Sequence, residues 1–278
     1  MSEEDFLAAM AASSRERTAQ ARSVLADREL RARALAAPSP PSLTLSGRFD
    51  LIAEVKLRSP AMGQLRRGDE DIAARVGGYA RAGAAAISVP TEPQRFEGSM
   101  DHLVRAVTAL AGRVPVMRKD FLVDAYQVYE ARAAGAGGIL IILRMLTRDE
   151  LRSLLDACVE LKLFALLEAF DEADLALAAV LVREYATQTT LLVGINCRDL
   201  VTLKVVPGRL ETLAPQLPPG VTRVAESGVT SGEDAARLVR CGYDAALVGG
   251  ALMQAGDPLA LAGSMLKAGR EAALQRCG

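Results

Sequence analysis

The sequence predicts an α/β chain, a (β/α)8 TIM barrel preceded by an N-terminal helical extension, and three observations lead there. Short aliphatic or β-branched runs recur at 51–56, 84–89, 114–118, 138–143, 164–168, 191–195, 222–226 and 245–249. Segments rich in Ala, Leu, Arg and Glu with helical spacing follow them, as at 70–82, 124–135, 147–162 and 230–241. The runs are too apolar for half-exposed strands, which reads as a parallel sheet buried on both faces. Eight such units in roughly 200 residues favour closure into a barrel over a doubly wound sheet. No G-x-G-x-x-G follows the first run, so the dinucleotide-binding signature is missing as well.

In chain order, residues 2–36 carry helix formers, with Ser2 as a cap and Glu4 and Asp5 as first-turn acids. One long helix or two shorter ones fit this stretch. Ala37-Pro38-Ser39-Pro40-Pro41-Ser42 then breaks it. The boundaries are drawn at 1–50 for an extension that could pack across one end, and 51–278 for the barrel. A chain of 278 residues is long enough to bury roughly three quarters of its unfolded surface in a single core.

Composition removes several function classes. The formal net charge is -1, which argues against binding nucleic acid through bulk electrostatics. Trp is absent and aromatic residues make up 4%, too few for base-stacking platforms. Cys158, Cys197, Cys241 and Cys277 are far apart without a C-x-x-C, and His102 is the one histidine, so neither metal ligation nor a disulfide framework is indicated. These read as reduced thiols of a cytoplasmic protein. Met1-Ser2-Glu3-Glu4-Asp5 lacks the apolar core of a signal peptide, and no apolar stretch approaches about 18 residues, so no membrane partner is expected.

The ends of the runs carry the chemistry. Glu54 and Lys56 are two apart, so on a strand they share a face. Alone, such a pair reads as a salt-bridged strand end. Polar and charged groups recur at the same phase, however: Thr91-Glu92, Arg118-Lys119-Asp120, Glu168, Asn196 with Arg198-Asp199, and Glu226-Ser227. In a (β/α)8 barrel the carboxyl ends of all strands converge on one face, which makes this set a catalytic mouth. Ser227-Gly228 after the seventh run and Gly249-Gly250 after the eighth are turns of the kind that hold phosphate through free backbone N–H groups.

With these residues in place, the chain resembles indole-3-glycerol phosphate synthases. The resemblance rests on Glu54-Val55-Lys56 with Ser59-Pro60, Thr91-Glu92 with Phe96 and Gly98-Ser99, Arg118-Lys119-Asp120-Phe121, and Leu167-Glu168. It continues through Gly194-Ile195-Asn196-Cys197-Arg198-Asp199-Leu200, Glu226-Ser227-Gly228 and Gly249 with Leu252-Met253, covering about residues 50–256. It implies closure of the pyrrole ring of 1-(2-carboxyphenylamino)-1-deoxyribulose 5-phosphate with loss of CO2 and water, a step of tryptophan biosynthesis. By resemblance Lys119 is the acid that polarises the ketone, Lys56 holds the substrate carboxylate and protonates the departing hydroxyl, and Glu168 is the base. The division of acid and base work between the two lysines and Glu168 stays open at this level. Glu54 and Glu226 would orient the lysines and Asn196 the intermediate. Ser59, Phe96, Arg198 and Ser227 would contact substrate, and Gly228, Gly249 and Gly250 would surround the phosphate. Burial and neighbouring cations would draw a lysine toward neutrality and fit it for acid work. Rearomatisation drives the decarboxylation, so neither cofactor nor metal is implied. The expected partners are a small phosphosugar and, in a monomer or weak homo-oligomer, other tryptophan-pathway enzymes.

The chain departs from the family pattern at Ala61, Ala169-Phe170, Cys197, the segment 201–207 and Gly250. None of these removes an acid or a base. They also suit a paralogue acting on a substituted anthranilate-derived substrate. A phosphosugar isomerase would place a Cys or Asp base on the first strand, where this chain has Glu54 and Lys56. A non-catalytic barrel would have no need of both lysines and Glu168. His102 reads as a surface or cap residue, Cys197 as packing, Tyr126 and Tyr129 as a helix face, and Arg66-Arg67 as a solvated loop.

Overall fold

The computed structural model describes residues 3–65 and 70–276. The expected cap at Ser2, the Arg66-Arg67 loop and Cys277 lie outside them. The strands are β1 Asp50–Glu54, β2 Ala86–Pro90, β3 Val116–Lys119, β4 Gly138–Ile142, β5 Phe164–Ala169, β6 Leu191–Asn196, β7 Thr222–Glu226 and β8 Ala245–Val248. All neighbours pair in parallel, and β1 pairs with both β2 and β8, which closes the barrel. Every run found in the sequence is one of these strands.

Alternation along each strand sorts the core into two clusters. Inward-pointing Ile52, Met117, Leu140, Leu166, Leu192 and Val224 fill the barrel interior. Their sequence neighbours, such as Leu51, Ile139, Leu167 and Val193, point outward and pack beneath the helices. At about 1.5–3 kcal/mol for each fully buried aliphatic side chain, both faces of the sheet are required for stability. Phe164 plugs the lower end, its ring lying over Gly138, where a Cβ would come within 2.4 Å of the ring.

The outer helices follow α1 Glu3–Val24 and α2 Asp27–Ala36. They comprise α3 Ile72–Arg81, the short turn α4 Pro93–Phe96, α5 Met100–Leu110, α6 Ala125–Ala133, α7 Arg148–Leu161 and α8 Glu172–Tyr185. Further on come α9 Arg209–Leu213, α10 Gly232–Arg240, α11 Gly250–Gln254 and α12 Pro258–Arg276. Their starts are chemically specified. Ser99, Asp124 and Asp171 accept from backbone N–H groups of the following turn, while Thr147 with Glu150 and Ser231 with Asp234 form reciprocal capping boxes.

The extension is one long helix and one short one, and it reaches both ends of the barrel rather than one. Phe6, Leu7 and Met10 of α1 join the inner cluster, with Phe6 edge-on to Phe121 beyond β3 at 6.0 Å. The segment after α2 passes under the opposite end: Arg132 donates to the Ala37 carbonyl at 2.7 Å, and Leu43 packs against the inner cluster from below. Arg17 fixes α1 at the upper rim with two 2.9 Å hydrogen bonds to Asp120.

Candidate active site

Three carboxylates rise from separate strands into the upper end of the barrel. Glu54 on β1, Glu168 on β5 and Glu226 on β7 are each at least 98% buried. Lys56 meets Glu54 Oε1 at 2.5 Å, and Lys119 of β3 meets Glu54 Oε2 at 3.7 Å, so one carboxylate holds both ammonium groups. Asn196 Nδ2 donates to Glu168 Oε1 at 2.8 Å. Residues spread along the chain from Glu54 to Glu226 thus meet because the parallel register brings Glu168 opposite Gly194 and Asn196 opposite Glu226.

The electrostatics of the cluster correct one expectation. Burial works to lower the Lys119 ammonium, but Glu54, Glu168 and Glu226 together outweigh it, so its pKa lies above the ordinary lysine value rather than near neutrality. The facing charges are anionic where the sequence reading invoked cations. Burial works to raise Glu54, and Lys56 and Lys119 overcome it, leaving that carboxylate ionised and below its usual value. Glu226 goes the other way: burial, then the neighbouring Glu168 carboxylate, push it well above the carboxylate range. No described donor reaches either Glu226 oxygen, and the group set against it is the Glu168 carboxyl.

A cavity of about 210 Å³ opens beside this cluster. Glu54, Lys56, Lys119, Asn196, Arg198, Glu226, Ser227, Gly228, Gly249 and Gly250 all line it. Glu168 and Phe96 do not themselves line it: Glu168 is hydrogen-bonded to Asn196, which does, and the Phe96 ring lies 5.7 Å from Lys119 Nζ. Ser227 and Gly228 both take left-handed backbone, at φ 69° and 70°. For Ser227 that is an uncommon conformation, of the kind found where a binding loop is held by its surroundings. A larger cavity, about 620 Å³, lies under the other end among Ser39–Leu43, Arg132, Lys162 and Phe164, and none of the proposed acid–base residues reaches it.

Several strand-end groups do not face the mouth. Ser59 is buried in a small hairpin (Arg58–Ser59 with Gly63–Gln64), accepts from Ala61 N at 3.3 Å, and does not line the cavity. Glu92 accepts from the backbone of Gln94, Arg95 and Phe96 and so caps α4. Arg118 is one residue from Lys119 and therefore points outward, to the Gln127 carbonyl at 2.8 Å and Glu130 at 3.1 Å. Asp120 receives Arg17 and Thr91 and is drawn down to about 2: burial opposes the shift, and Arg17 and Arg118 overcome it. Asp199 organises its own loop through Val201 N and Thr202 N, whereas Arg198 lines the cavity and also donates to the Leu203 carbonyl. Gly249 is buried, and a Cβ there would lie 2.3 Å from Glu54 Oε1, so its bare Cα makes room for that carboxylate.

Arg17 carried no signal that sequence reading could use, and Gly194 was legible only as part of the motif at 194–200, with nothing to show what its missing side chain accommodates. Arg17 is one of many arginines in an amphipathic helix, and Gly194 sits in the middle of an aliphatic strand.

Fold and site together define a class: a TIM-barrel enzyme with a buried lysine–carboxylate cluster at the C-terminal mouth. Comparison with known proteins specifies it further. The sequence matches the profile of the family described as indole-3-glycerol phosphate synthase over residues 7–262. It is 48% identical over 208 residues to the indole-3-glycerol phosphate synthase of Nocardioides sp., covering 75% of this chain and 76% of that one. With the Mycobacterium leprae protein of the same name it is 41% identical over 246 residues, 87% and 86% of the two chains. Among solved structures, 3-hexulose-6-phosphate synthase from Salmonella typhimurium superposes with a TM-score of 0.61 at 15% identity, over 81% of this chain and 99% of that one. At that identity the likeness concerns the fold alone. The chain belongs to the indole-3-glycerol phosphate synthase family, and its activity is that family's carboxy-lyase reaction, a step of tryptophan biosynthesis.

Proposed function

We propose that the upper cluster closes the pyrrole ring of 1-(2-carboxyphenylamino)-1-deoxyribulose 5-phosphate, with Lys119 as the general acid and Glu168 as the general base. The observation that carries this is Lys119 itself, held at the rim by Glu54 and facing Glu168 and Glu226. Its raised pKa keeps it charged at neutral pH, so it polarises the ketone electrostatically and carries a proton in every turnover. Attack by the ring carbon then forms the new bond. Loss of CO2 returns electrons to the ring, and loss of the hydroxyl as water, with a proton from Lys56, completes the indole. Glu168, held by Asn196, takes the proton released on the way. A positioned acid or base of this sort contributes roughly 100- to 10,000-fold.

Lys56 and Lys119 stand on the same carboxylate, which suits capture of an anionic aromatic acid between them. The phosphate is assigned to the backbone of Gly228, Gly249 and Gly250, with Ser227 and Arg198 nearby, since all line the one cavity. Residues 51–278 are taken as the catalytic barrel and 1–50 as its extension. The reading takes it as a cytoplasmic, monomeric or weakly associating enzyme working beside other tryptophan-pathway enzymes; none of the described helices is long and apolar enough to cross a membrane.

Purified protein should form indole-3-glycerol phosphate from the carboxyphenylamino sugar, and Lys119→Ala should remove that activity by roughly three orders of magnitude without unfolding the barrel. Undiminished turnover by the variant would refute the assigned acid.

A further inference from the structure

Gly194 lies opposite Glu168 in the β5–β6 register and two residues before Asn196. Leu192, two residues earlier, belongs to the inner cluster, so Gly194 also faces the barrel interior. A Cβ at this position would stand 2.0 Å from Glu226 Oε1, 3.0 Å from the Glu226 carboxyl carbon and 3.2 Å from Leu166 Cδ1. The Glu226 carboxyl therefore occupies the volume that any other residue at 194 would fill. It is also the carboxyl of the cluster whose two oxygens receive no described hydrogen bond. A buried polar group is normally held by its donors. Here no described donor holds it: the Glu168 carboxyl stands beside it, and the seat beneath it is the bare Cα of a glycine on the neighbouring strand.

We propose that Gly194 is a positioning residue for the acid–base reaction: its missing side chain is the seat that keeps the Glu226 carboxyl against Glu168 and within reach of Lys119. The inference rests on the acid–base reading above and extends it to a residue that touches no substrate. Glu226 is displaced at its flexible end, so Gly194→Ala shifts that carboxyl upward into the cavity and leaves the strand in place. The barrel survives, and the geometry around Lys119 and Glu168 does not. Burial of the Glu226 carboxyl beside Glu168 raises its pKa, and a carboxyl pushed out of its seat loses that burial.

The test is a double-mutant cycle of G194A and E226D, read by steady-state kinetics and thermal melting. Asp is one methylene shorter and withdraws the carboxyl from the added methyl. G194A should lower kcat on the order of 100-fold, with KM changing far less, as misplacement by about an ångström does. E226D should lower kcat in the native background yet recover at least tenfold of it in the G194A background. The proposal is overturned if G194A keeps kcat within twofold of native. It is equally overturned if the two losses multiply, which would put the methyl's effect at Leu166. Melting supplies a second readout that needs no turnover: E226A should raise Tm more in the G194A background than in the native chain, and equal shifts would refute the seat. A native chain that made no indole product would sink the acid–base reading alone and leave this arm to decide on Gly194.

Discussion

The lower and upper halves of the barrel interior are built from the same strands by the same alternation, and they obey opposite rules. Below, inward positions are Ile52, Met117, Leu140, Phe164, Leu192 and Val224, all apolar and nearly inaccessible. Above, one or two steps along the same faces, they become Glu54, Lys119, Glu168, Asn196 and Glu226. Glycines serve both halves by giving up volume to a neighbour. Gly138 makes room for the Phe164 ring, whereas Gly249 and Gly194 make room for the carboxyls of Glu54 and Glu226. The lower half gains stability from packing. The upper half gives some of it up to hold charges out of water, since buried ionic groups rarely stabilise a fold as well as apolar ones would.

That contrast can be broken at chosen points. Glu168→Gln is isosteric and leaves the Asn196 contact largely satisfiable, so kcat should fall by about 100- to 10,000-fold while KM and the melting temperature stay close to native. A change confined to KM would move the base elsewhere. Gly138→Ala is its counterpart below: the new methyl meets the Phe164 ring, whose surroundings are packed, and should cost about 1–3 kcal/mol in urea unfolding with kcat unaltered. If kcat fell with stability, the two halves would not be separable.

A third change concerns the tie between extension and barrel. Asp120 is depressed to about 2 by Arg17 and Arg118 against the opposing effect of burial. A group whose folded pKa is lowered contributes stability that is complete above its unfolded value, near 4, and is lost as the pH falls toward 2. Asp120→Asn should therefore cost on the order of 2 kcal/mol at pH 7, and the variant's stability should slope less than the native chain's between pH 4 and pH 2. An unchanged acid slope would show that Arg17 does not hold α1 through Asp120. This loss should exceed that from removing exposed pairs such as Arg152–Glu184, which are worth about 0–1 kcal/mol.

What could be read in the chain follows from period and phase. Strand β5 shows it: Phe164-Ala165-Leu166-Leu167-Glu168 is too apolar to be half exposed, and its carboxylate falls at the phase where Lys119 and Glu226 fall on theirs. Such local regularities fix element type, the barrel and the end at which the charged cluster sits. They mislead where adjacent residues face opposite ways, as with Arg118 beside Lys119, and where a charge is consumed by a cap, as with Glu92. They also cannot give the sign of a pKa shift, because Lys119 is governed by carboxylates 65, 49 and 107 residues away in the chain.

The amino-acid sequence by itself determined the eight-fold repeat, the set of groups offered to the mouth and the family they belong to, because each depends on neighbours within a few residues. Only the tertiary structure decided which of those groups meet in a hydrogen bond or an ion pair, that the extension is tied to both ends, and that a bare Cα on β6 accommodates a carboxyl from β7. Those depend on distances between strands, and barrel closure sets such distances through register and excluded volume, quantities that no single stretch of chain contains.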